Sequence, residues 1–258
     1  MRGVERSSFV ISTKVGRVVA PDAEKRPANW QPPFDYGYDA VMRTYETSLK
    51  RIGVERVDAI LLHDIGTVTH GERHPELFRQ AMDSGYRALA ELRSGGAIAA
   101  IGVGVNEWQV LEEAMRAADF DVFLLAGRYT LLEQTALKTF LPECLRRGVS
   151  VLIGGPFNSG ILAKGPSPGV WYNYAPASDA ILEQVRRIEA VCKRYSVSLP
   201  NAALRFPSVH PAVASVVFGP RSSSELIANL EHFTSQIDPE LWSALKSEKL
   251  VDPAAPTP

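Results

Sequence analysis

Six short apolar runs recur along the chain, at residues 9–14, 57–62, 97–103, 122–125, 149–153 and 213–218. Their hydrophobicity is nearly continuous and does not alternate with polar positions. Such a pattern is typical of strands that are buried on both faces, as in a parallel sheet. We therefore predict six parallel strands.

The segments between these runs place apolar residues on one face at the spacing of an α-helix. Asp39 is predicted to cap the first helix and Ser178 or Asp179 the third, while Gly95 and Gly96 end the second. The apolar stripes comprise Val41, Tyr45, Leu49 and Ile52; Tyr86, Leu89, Ala90 and Leu92; Ile181, Val185, Ile188 and Cys192; and Leu226, Ile227 and Leu230. Strands that alternate with helices predict an α/β fold. We expect one domain over residues 1–251 and a disordered tail at residues 252–258.

Composition and charge exclude several functional classes. The chain has 258 residues, with 28 Lys and Arg against 29 Asp and Glu and a formal charge of −1. This balance provides no basic surface for nucleic acid or for an anionic membrane. The two cysteines, Cys144 and Cys192, exclude a disulfide scaffold and indicate a reducing compartment. The first residues lack a signal peptide's apolar run, and glycines and Pro156 interrupt the uncharged segment 148–163. We therefore predict no membrane span and a cytoplasmic location.

Two reactive side chains stand at the ends of predicted strands. Lys14 ends the first apolar run, and His63 directly follows the second. The carboxyl ends of parallel strands are where α/β barrels and open sheets bind their ligands. A lysine that merely ends a strand and reaches solvent is the alternative for Lys14 alone. Because His63 repeats the position on the next strand, the pair indicates one shared site.

Two later strand ends carry candidate binding segments. Asn106 follows two glycines that let a ligand approach the backbone, and its side chain can pair with an amide; capping of the next helix is the alternative. Residues 218–225 hold Arg221 and three serines before a predicted helix, which suits either a bound phosphate or ordinary N-cap chemistry. No G-x-G-x-x-G motif follows a strand, so a Rossmann site is unsupported.

Aromatic residues in two long loops are candidates for a substrate pocket. Trp30 lies in the loop 16–38, and Trp171 and Tyr172 lie in the segment 157–177. Aromatic rings stack on ligands, but they also simply anchor loops. Both interpretations stay open.

A metal site is not predicted. His70 and His74 are four residues apart, the spacing at which two ligands share one face of a helix. Gly71 and Pro75 oppose a helix there, and no third ligand is nearby in the sequence.

The four strand-end segments, in this order, resemble the motifs of the aldo-keto reductase family. Residues 12–17 contain Lys14, residues 61–64 contain His63, and residues 102–106 end at Asn106; the closing segment is 219–222 with Glu225 and Asn229. The resemblance extends over essentially the whole chain. It implies a (β/α)8 TIM barrel that binds NAD or NADP without a Rossmann domain.

The resemblance also implies roles for individual residues. The family's catalytic group is a tetrad of Asp, Tyr, Lys and His, and Lys14 and His63 match its last two members. In the family, lysine lowers the pKa of the tyrosine that acts as acid and base, and histidine orients the substrate oxygen. The positions implied to bind the cofactor are Asn106, Gly155, Pro156, Asn158, Gly160, Leu162, Gly219, Arg221, Ser222, Glu225 and Asn229.

Two internal segments resemble one branch of that family. Residues 125–134 and 154–162 are similar to those of aldose 1-dehydrogenases, which oxidise free sugars such as L-fucose at the anomeric carbon. The expected partner is thus a small sugar or aldehyde. Pyridoxal 4-dehydrogenases are similar too, and a non-catalytic nucleotide-binding relative is a third interpretation.

The chain departs from the family pattern near its beginning. The family's aspartate and tyrosine lie on and after its second strand, whereas this sequence begins just before the third. Tyr36, Tyr38 and Tyr45 follow Lys14, so none of them matches the catalytic tyrosine. We expect an N-terminally truncated member that lacks the first two βα units and has impaired activity.

A second departure concerns the cofactor. Glu225 stands where family members often carry an arginine for the 2′-phosphate of NADP. A carboxylate repels that phosphate and can accept a hydrogen bond from a ribose hydroxyl. We therefore expect NAD, with NADP possible because Arg221 is still available for a phosphate.

Overall fold

A computed structural model describes residues 4–18 and 32–258 of the chain. These residues form two compact units, one within residues 1–124 and the other within residues 125–258. The expected single domain over residues 1–251 therefore stays a prediction. Trp30 lies outside the described residues.

The first unit contains three of the predicted strands, β1 (Ser12–Val15), β2 (Ala59–His63) and β3 (Ala100–Val105). They pair in parallel in the order β1-β2-β3. The register places Lys14 beside Leu61 and His63 beside Gly104. Because the strands run the same way, their carboxyl ends meet at one edge of the sheet.

The other three predicted strands are β4 (Val122–Ala126), which reaches from residue 122 into the second unit, β5 (Ser150–Gly154) and β8 (Val213–Val217). In the second unit β5 pairs with β8 in parallel. A small antiparallel hairpin joins β6 (Trp171–Tyr172) to β7 (Ala175–Pro176). All six predicted strands are present, and the α/β class is confirmed.

Helices separate the strands. The first unit has α1 (Tyr38–Ile52), α2 (Thr67–His70), α3 (His74–Gln80), α4 (Tyr86–Ser94) and α5 (Trp108–Ala117), with a π-helical turn at Ala81–Gly85. The second unit has α6 (Phe140–Arg147), α7 (Ile161–Lys164), α8 (Asp179–Arg194), α9 (Leu199–Arg205), α10 (Ser223–Thr234) and α11 (Pro239–Ser247). Short 3-10 turns lie at Arg6–Ser8, Gly71–Arg73, Thr135–Leu137 and Phe206–Val209.

The ends of the helices mostly follow the capping signals. Ser178 accepts a hydrogen bond from the backbone N–H of Ile181, and Gly95 caps the end of α4, as predicted. The prediction for Asp39 was wrong. Gly37 is the N-cap of α1, and Asp39 lies in the first turn, where its charge still favours the positive end of the helix dipole.

Each unit has its own apolar core. Fully buried strand residues form the first, including Ile60, Leu62, Ile101 and Val103. In the second, Phe206 packs against Trp242 with ring centroids 6.3 Å apart. Full burial of one such side chain contributes roughly 1.5–3 kcal/mol relative to exposure, so these contacts hold each unit together.

Two segments differ from expectation. The stripe of Leu226, Ile227 and Leu230 on α10, predicted to be an apolar packing face, is exposed. Residues 252–258, expected to be disordered, lie against the second unit: Ala255 is buried, and the backbone N–H of Asp252 donates to Oε1 of Gln134 at 3.3 Å. Burial of Ala255 gives the segment a fixed place that its proline-rich composition does not suggest.

Among the helices of the described residues, none combines the length and apolarity that a membrane span requires.

Gly102 provides a test of this strand packing. A Cβ at Gly102 would lie 1.7 Å from the backbone oxygen of Val122, which cannot move aside as a side chain can. We expect Gly102→Ala to lower the free energy of unfolding by about 3 kcal/mol, measured by urea denaturation. Gly219→Ala is the matched control, since that position has open space, and should change stability by less than about 0.5 kcal/mol. Equal stabilities of the two variants would contradict the packing.

Candidate active site

Lys14 and His63 line one cavity in the first unit. The cavity has a volume of about 540 Å³, and its wall includes Thr13, Leu61 and Leu124 beside the two candidates. Alternation along β2 puts Leu61 and His63 on the same face, and the register brings Lys14 beside Leu61. The structure thus brings together the two residues that the sequence placed at neighbouring strand ends.

Gly104 makes room for the lysine. A Cβ at Gly104 would lie 2.8 Å from Cε of Lys14, so the lysine side chain extends across the third strand where the backbone carries no side chain. The alternative that Lys14 is a strand-ending charge directed into solvent does not fit this path. A larger residue at position 104 would displace the ammonium group.

Burial keeps His63 neutral. Desolvation, together with the positive charges of Lys14 and Arg17, lowers the pKa of His63 to about 4. Burial also lowers the pKa of Lys14, although the carboxylate of Asp64 opposes that shift. The site therefore combines a neutral imidazole with an incompletely solvated ammonium group at pH 7.

Asp64 is a member of the site that sequence reasoning did not assign. Its Oδ2 atom lies 3.3 Å from Nε2 of His63, and burial raises the pKa of its carboxyl group. Asp64 has φ = 52°, in the left-handed region, so the chain turns sharply directly after β2. Its position next to His63 is the signal that could have identified it.

Asn106 directly follows β3, at the same edge of the first unit's sheet. The next helix has Glu107 as its N-cap residue, so Asn106 does not occupy the capping position that was its alternative role. A half-buried side-chain amide after a strand is suited to bind another amide. Its assignment to the cofactor stays a prediction.

The loop after β5 in the second unit has the features of a ligand-binding turn. Gly155 and Gly160 have φ of 57° and 96°, which favour glycine, and Asn158 and Ser159 also have positive φ. Nδ2 of the buried Asn158 donates to the backbone oxygen of Gly127 at 3.1 Å. Its Oδ1 atom is buried and has no hydrogen-bond partner among the described residues.

An unpaired buried oxygen costs stability unless a donor arrives. A ribose or amide group of a dinucleotide carries such donors, so the residues present fit a nicotinamide cofactor on this observation. Pro156 and Leu162, two other predicted cofactor residues, are buried, so their side chains serve the packing of this loop.

The segment after β8 combines a helix start with an ion pair. Ser222 is the N-cap of α10 and accepts from the backbone N–H of Glu225 at 3.1 Å. Glu225 binds Arg221 twice, through the backbone N–H at 2.7 Å and through Nη2 at 3.0 Å. These bonds lower the pKa of Glu225. Gly219, which begins this segment, and Asn229, which lies within α10, complete the predicted set.

The predicted substrate aromatics lie on the β6–β7 hairpin. Trp171 is 52% exposed, whereas the hydroxyl of Tyr172 donates to Oε2 of Glu133 at 2.7 Å. Burial and the Glu133 carboxylate raise the pKa of Tyr172 to about 12. Arg128 binds both Glu133, at 3.3 Å, and Asn173, at 2.8 Å, so the hairpin is anchored on the loop after β4.

His70 and His74 do not face one another as metal ligands. Nε2 of His70 contacts the hydroxyl of Tyr36 at 2.8 Å, and Nδ1 of His74 contacts the backbone oxygen of Ile65 at 3.0 Å. In the part of the chain that the structure describes, His, Cys, Asp and Glu side chains do not gather in groups of three that could hold a metal ion. Tyr36 is a second residue of this region that sequence reasoning gave no role.

Comparison with known proteins places these features in a family. The sequence profile of the Aldo/keto reductase family matches residues 2–249. Pyridoxal 4-dehydrogenase of Microbacterium luteolum is 41% identical over 261 residues, which are 94% of this chain and 76% of that protein. D-threo-aldose 1-dehydrogenase of a Pseudomonas species is 34% identical over 266 residues, or 98% of this chain and 77% of that protein.

Solved structures show the same fold. The holo form of an aldo-keto reductase from Bacillus halodurans superimposes with a TM-score of 0.73 at 20% identity, over 97% of this chain and 76% of that one. Glycerol dehydrogenase of Gluconobacter oxydans has a TM-score of 0.68 at 18% identity, over 98% and 75% of the two chains. The expected α/β fold of the aldo-keto reductase (β/α)8 type is thereby confirmed.

The charge state of His63 can be tested through stability. The unfolded-state pKa is about 6.5, so between pH 6.5 and 4 the unfolded chain binds a proton that the folded chain does not. The contribution of His63 to the free energy of unfolding is therefore fully present above pH 6.5. It falls by about 3 kcal/mol as the pH drops from 6.5 through 4. We expect His63→Gln to remove this part of the pH dependence, measured by urea denaturation at several pH values.

Part of the slope should remain in that variant, because burial also lowers the pKa of His70 and of His210. NMR titration of the imidazole of His63 provides the direct measurement. A wild-type midpoint near 6.5 would contradict the burial of this ring.

Proposed function

We propose that this chain, which belongs to the aldo/keto reductase family of oxidoreductases, oxidises a free aldose of the L-fucose type at the anomeric carbon. The observation that carries the proposal is the shared cavity of Lys14 and His63. A relative named D-threo-aldose 1-dehydrogenase, 34% identical, supports a sugar as substrate. The cofactor is of the nicotinamide type.

Pyridoxal is the second candidate substrate, because a relative named pyridoxal 4-dehydrogenase is 41% identical. The two candidates share one chemistry. An aldose ring has a hemiacetal carbon, and pyridoxal forms the same group when its hydroxymethyl closes on its aldehyde. Oxidation removes a hydride from that carbon and a proton from its hydroxyl, and leaves a lactone.

The bound nicotinamide would supply the acceptor for the hydride. Residues of this chain would hold and polarise the substrate oxygen. The neutral imidazole of His63 can form a hydrogen bond with the substrate hydroxyl. The ammonium of Lys14 stabilises negative charge that develops on that oxygen. Asp64, 3.3 Å from His63, orients the ring.

We expect turnover to be slow. The resemblance assigns proton transfer to a tyrosine, and among the described residues no tyrosine lines the cavity of Lys14 and His63. The hydroxyl of Tyr36, the first tyrosine after β1, is directed to backbone oxygens of residues 63 and 64.

The cofactor residues proposed for this chain are Asn106, the loop 155–162 and the segment 219–229. The unpaired Oδ1 of Asn158 and the N-cap at Ser222 support this placement. NAD is the proposed cofactor, because Glu225 pairs with Arg221 and adds a negative charge to the segment that would hold the cofactor, which would disfavour a 2′-phosphate. Trp171 is proposed to contact the substrate through its exposed ring.

The function is tested with purified chain, NAD and a panel of L-fucose, D-arabinose and pyridoxal, by absorbance of NADH. We expect sugar-dependent reduction of NAD, and a loss of about 100-fold or more in kcat for Lys14→Met and for His63→Gln. Lys50→Met, an exposed lysine in the last turn of α1, is the control and should retain activity.

The outcomes separate the candidates. Turnover of pyridoxal without turnover of either sugar would replace the first candidate by the second. Binding of NADH, measured by fluorescence, without turnover of any substrate would overturn both and favour the non-catalytic nucleotide-binding interpretation.

Cofactor preference is tested by Glu225→Gln. Loss of the carboxylate frees Arg221 for a phosphate and removes the repulsion, so the ratio of Kd for NADP to Kd for NAD should fall by about tenfold. Glu183 forms another exposed ion pair, with Arg186. Glu183→Gln removes that carboxylate and should leave the ratio unchanged. Equal ratios in the two variants would contradict the role of Glu225.

A further inference from the structure

We propose that Tyr36 is a positioning residue that fixes the ends of β1 and β2, and through them the relative placement of Lys14 and His63. The inference rests on the proposed function of these two residues. Tyr36 does not line their cavity, so it acts through the backbone and not on the substrate.

The hydroxyl of Tyr36 binds the main chain at the end of β2. It lies 2.7 Å from the backbone oxygen of His63 and 3.1 Å from that of Asp64. The residue is fully buried, so water does not replace these bonds. A buried carbonyl without a donor costs about 1–3 kcal/mol, so the tyrosine stabilises this turn in one conformation.

His70 completes the hydrogen bonding of the phenol. Its Nε2 atom lies 2.8 Å from the Tyr36 oxygen. The phenol has a single proton, and the two backbone oxygens can only accept, so that proton goes to a carbonyl and the phenol oxygen accepts from His70. This accounting assigns the proton of the neutral His70 ring to Nε2.

The ring of Tyr36 fixes the end of β1. A Cβ at Gly16 would lie 2.4 Å from Cδ1 and from Cε1 of Tyr36, so the ring occupies the space that glycine leaves. Gly16 has φ = 96° and follows Lys14 by two residues. Its backbone oxygen accepts from the N–H of Asp35 at 2.8 Å, next to the tyrosine. One side chain therefore touches both strand ends.

The tyrosine is itself held from two sides. Its backbone N–H donates to Oε1 of Gln80 at 3.1 Å. The ring of Phe34 packs edge-on against His70, with centroids 4.8 Å apart, and lies 6.0 Å from the ring of Tyr36. Because these contacts restrict its torsions, the side chain holds the backbone that it binds in one position.

The consequence for His63 follows from the turn. The side chain of His63 leaves the backbone at the residue whose carbonyl the phenol holds, and Asp64, which has the strained φ, provides the carboxylate beside the imidazole. Displacement of this turn would rotate the imidazole relative to Lys14. Small errors in the placement of a reacting group lower kcat more than they weaken binding.

The test is Tyr36→Phe, which keeps the ring against Gly16 and removes only the hydroxyl. With the substrate that the wild type turns over, we expect kcat to fall by about tenfold and KM to change by less than about twofold. The ring-proton and ring-nitrogen NMR signals of His63 should shift at pH 7. Tyr38→Phe is the control: it removes a hydroxyl that binds the exposed carboxylate of Glu91 at 2.5 Å, and should alter none of these readouts.

Thermal denaturation shows whether Tyr36→Phe is folded. If it is not, a second pair of variants tests the same hydrogen-bond network. His70→Gln keeps an N–H donor for the phenol and should retain the His63 signals and kcat, whereas His70→Leu removes the donor and should shift both. Unchanged His63 signals in folded Tyr36→Phe, or in His70→Leu if that variant replaces it, would overturn the proposal.

The NMR arm is independent of turnover. If wild-type chain turns over no substrate, the proposed function fails, while the His63 signals in Tyr36→Phe still decide whether the phenol positions that ring.

Discussion

The parallel register of β1, β2 and β3 is the constraint on which the candidate site depends. Parallel strands present their carboxyl ends at one edge, and this register sets Lys14 beside Leu61 and His63 beside Gly104. A shift by one residue would turn Lys14 to the opposite face of the sheet. The small residue at position 104 then lets the lysine cross the third strand.

Burial of charge gives the site its chemical character. Desolvation lowers the pKa of both Lys14 and His63, so each group loses its proton more readily than it would in water. The ammonium of Lys14 is close to the carboxyl group of Asp64, whose own pKa is raised by burial, so the ion pair offsets only part of the cost of burying the charge. A pocket that keeps a positive charge incompletely solvated is suited to stabilise an oxyanion, in agreement with membership of an oxidoreductase family.

The second unit shows how loops serve a site through packing and through unsatisfied groups. Arg128, Glu133 and Tyr172 anchor the β6–β7 hairpin, and Trp171 stays exposed beside them. In the loop after β5, Oδ1 of Asn158 is buried and accepts no hydrogen bond from any residue in the described part of the chain. Natural proteins leave few such groups without a partner, and a hydrogen-bond donor of a bound ligand would satisfy this atom.

The sequence by itself determined the six main strands, four of the helices and the placement of Lys14 and His63 at neighbouring strand ends, because hydrophobic periodicity and strand-end positions are local properties of the chain. It did not determine that Glu225 is bound to Arg221, that Gly37 caps α1, or that α10 exposes its apolar stripe. It also left Tyr36 and Asp64 without a role. These features depend on which residues far apart in the sequence come into contact: the phenol of Tyr36 binds the backbone of residue 63, and only the folded chain brings them together.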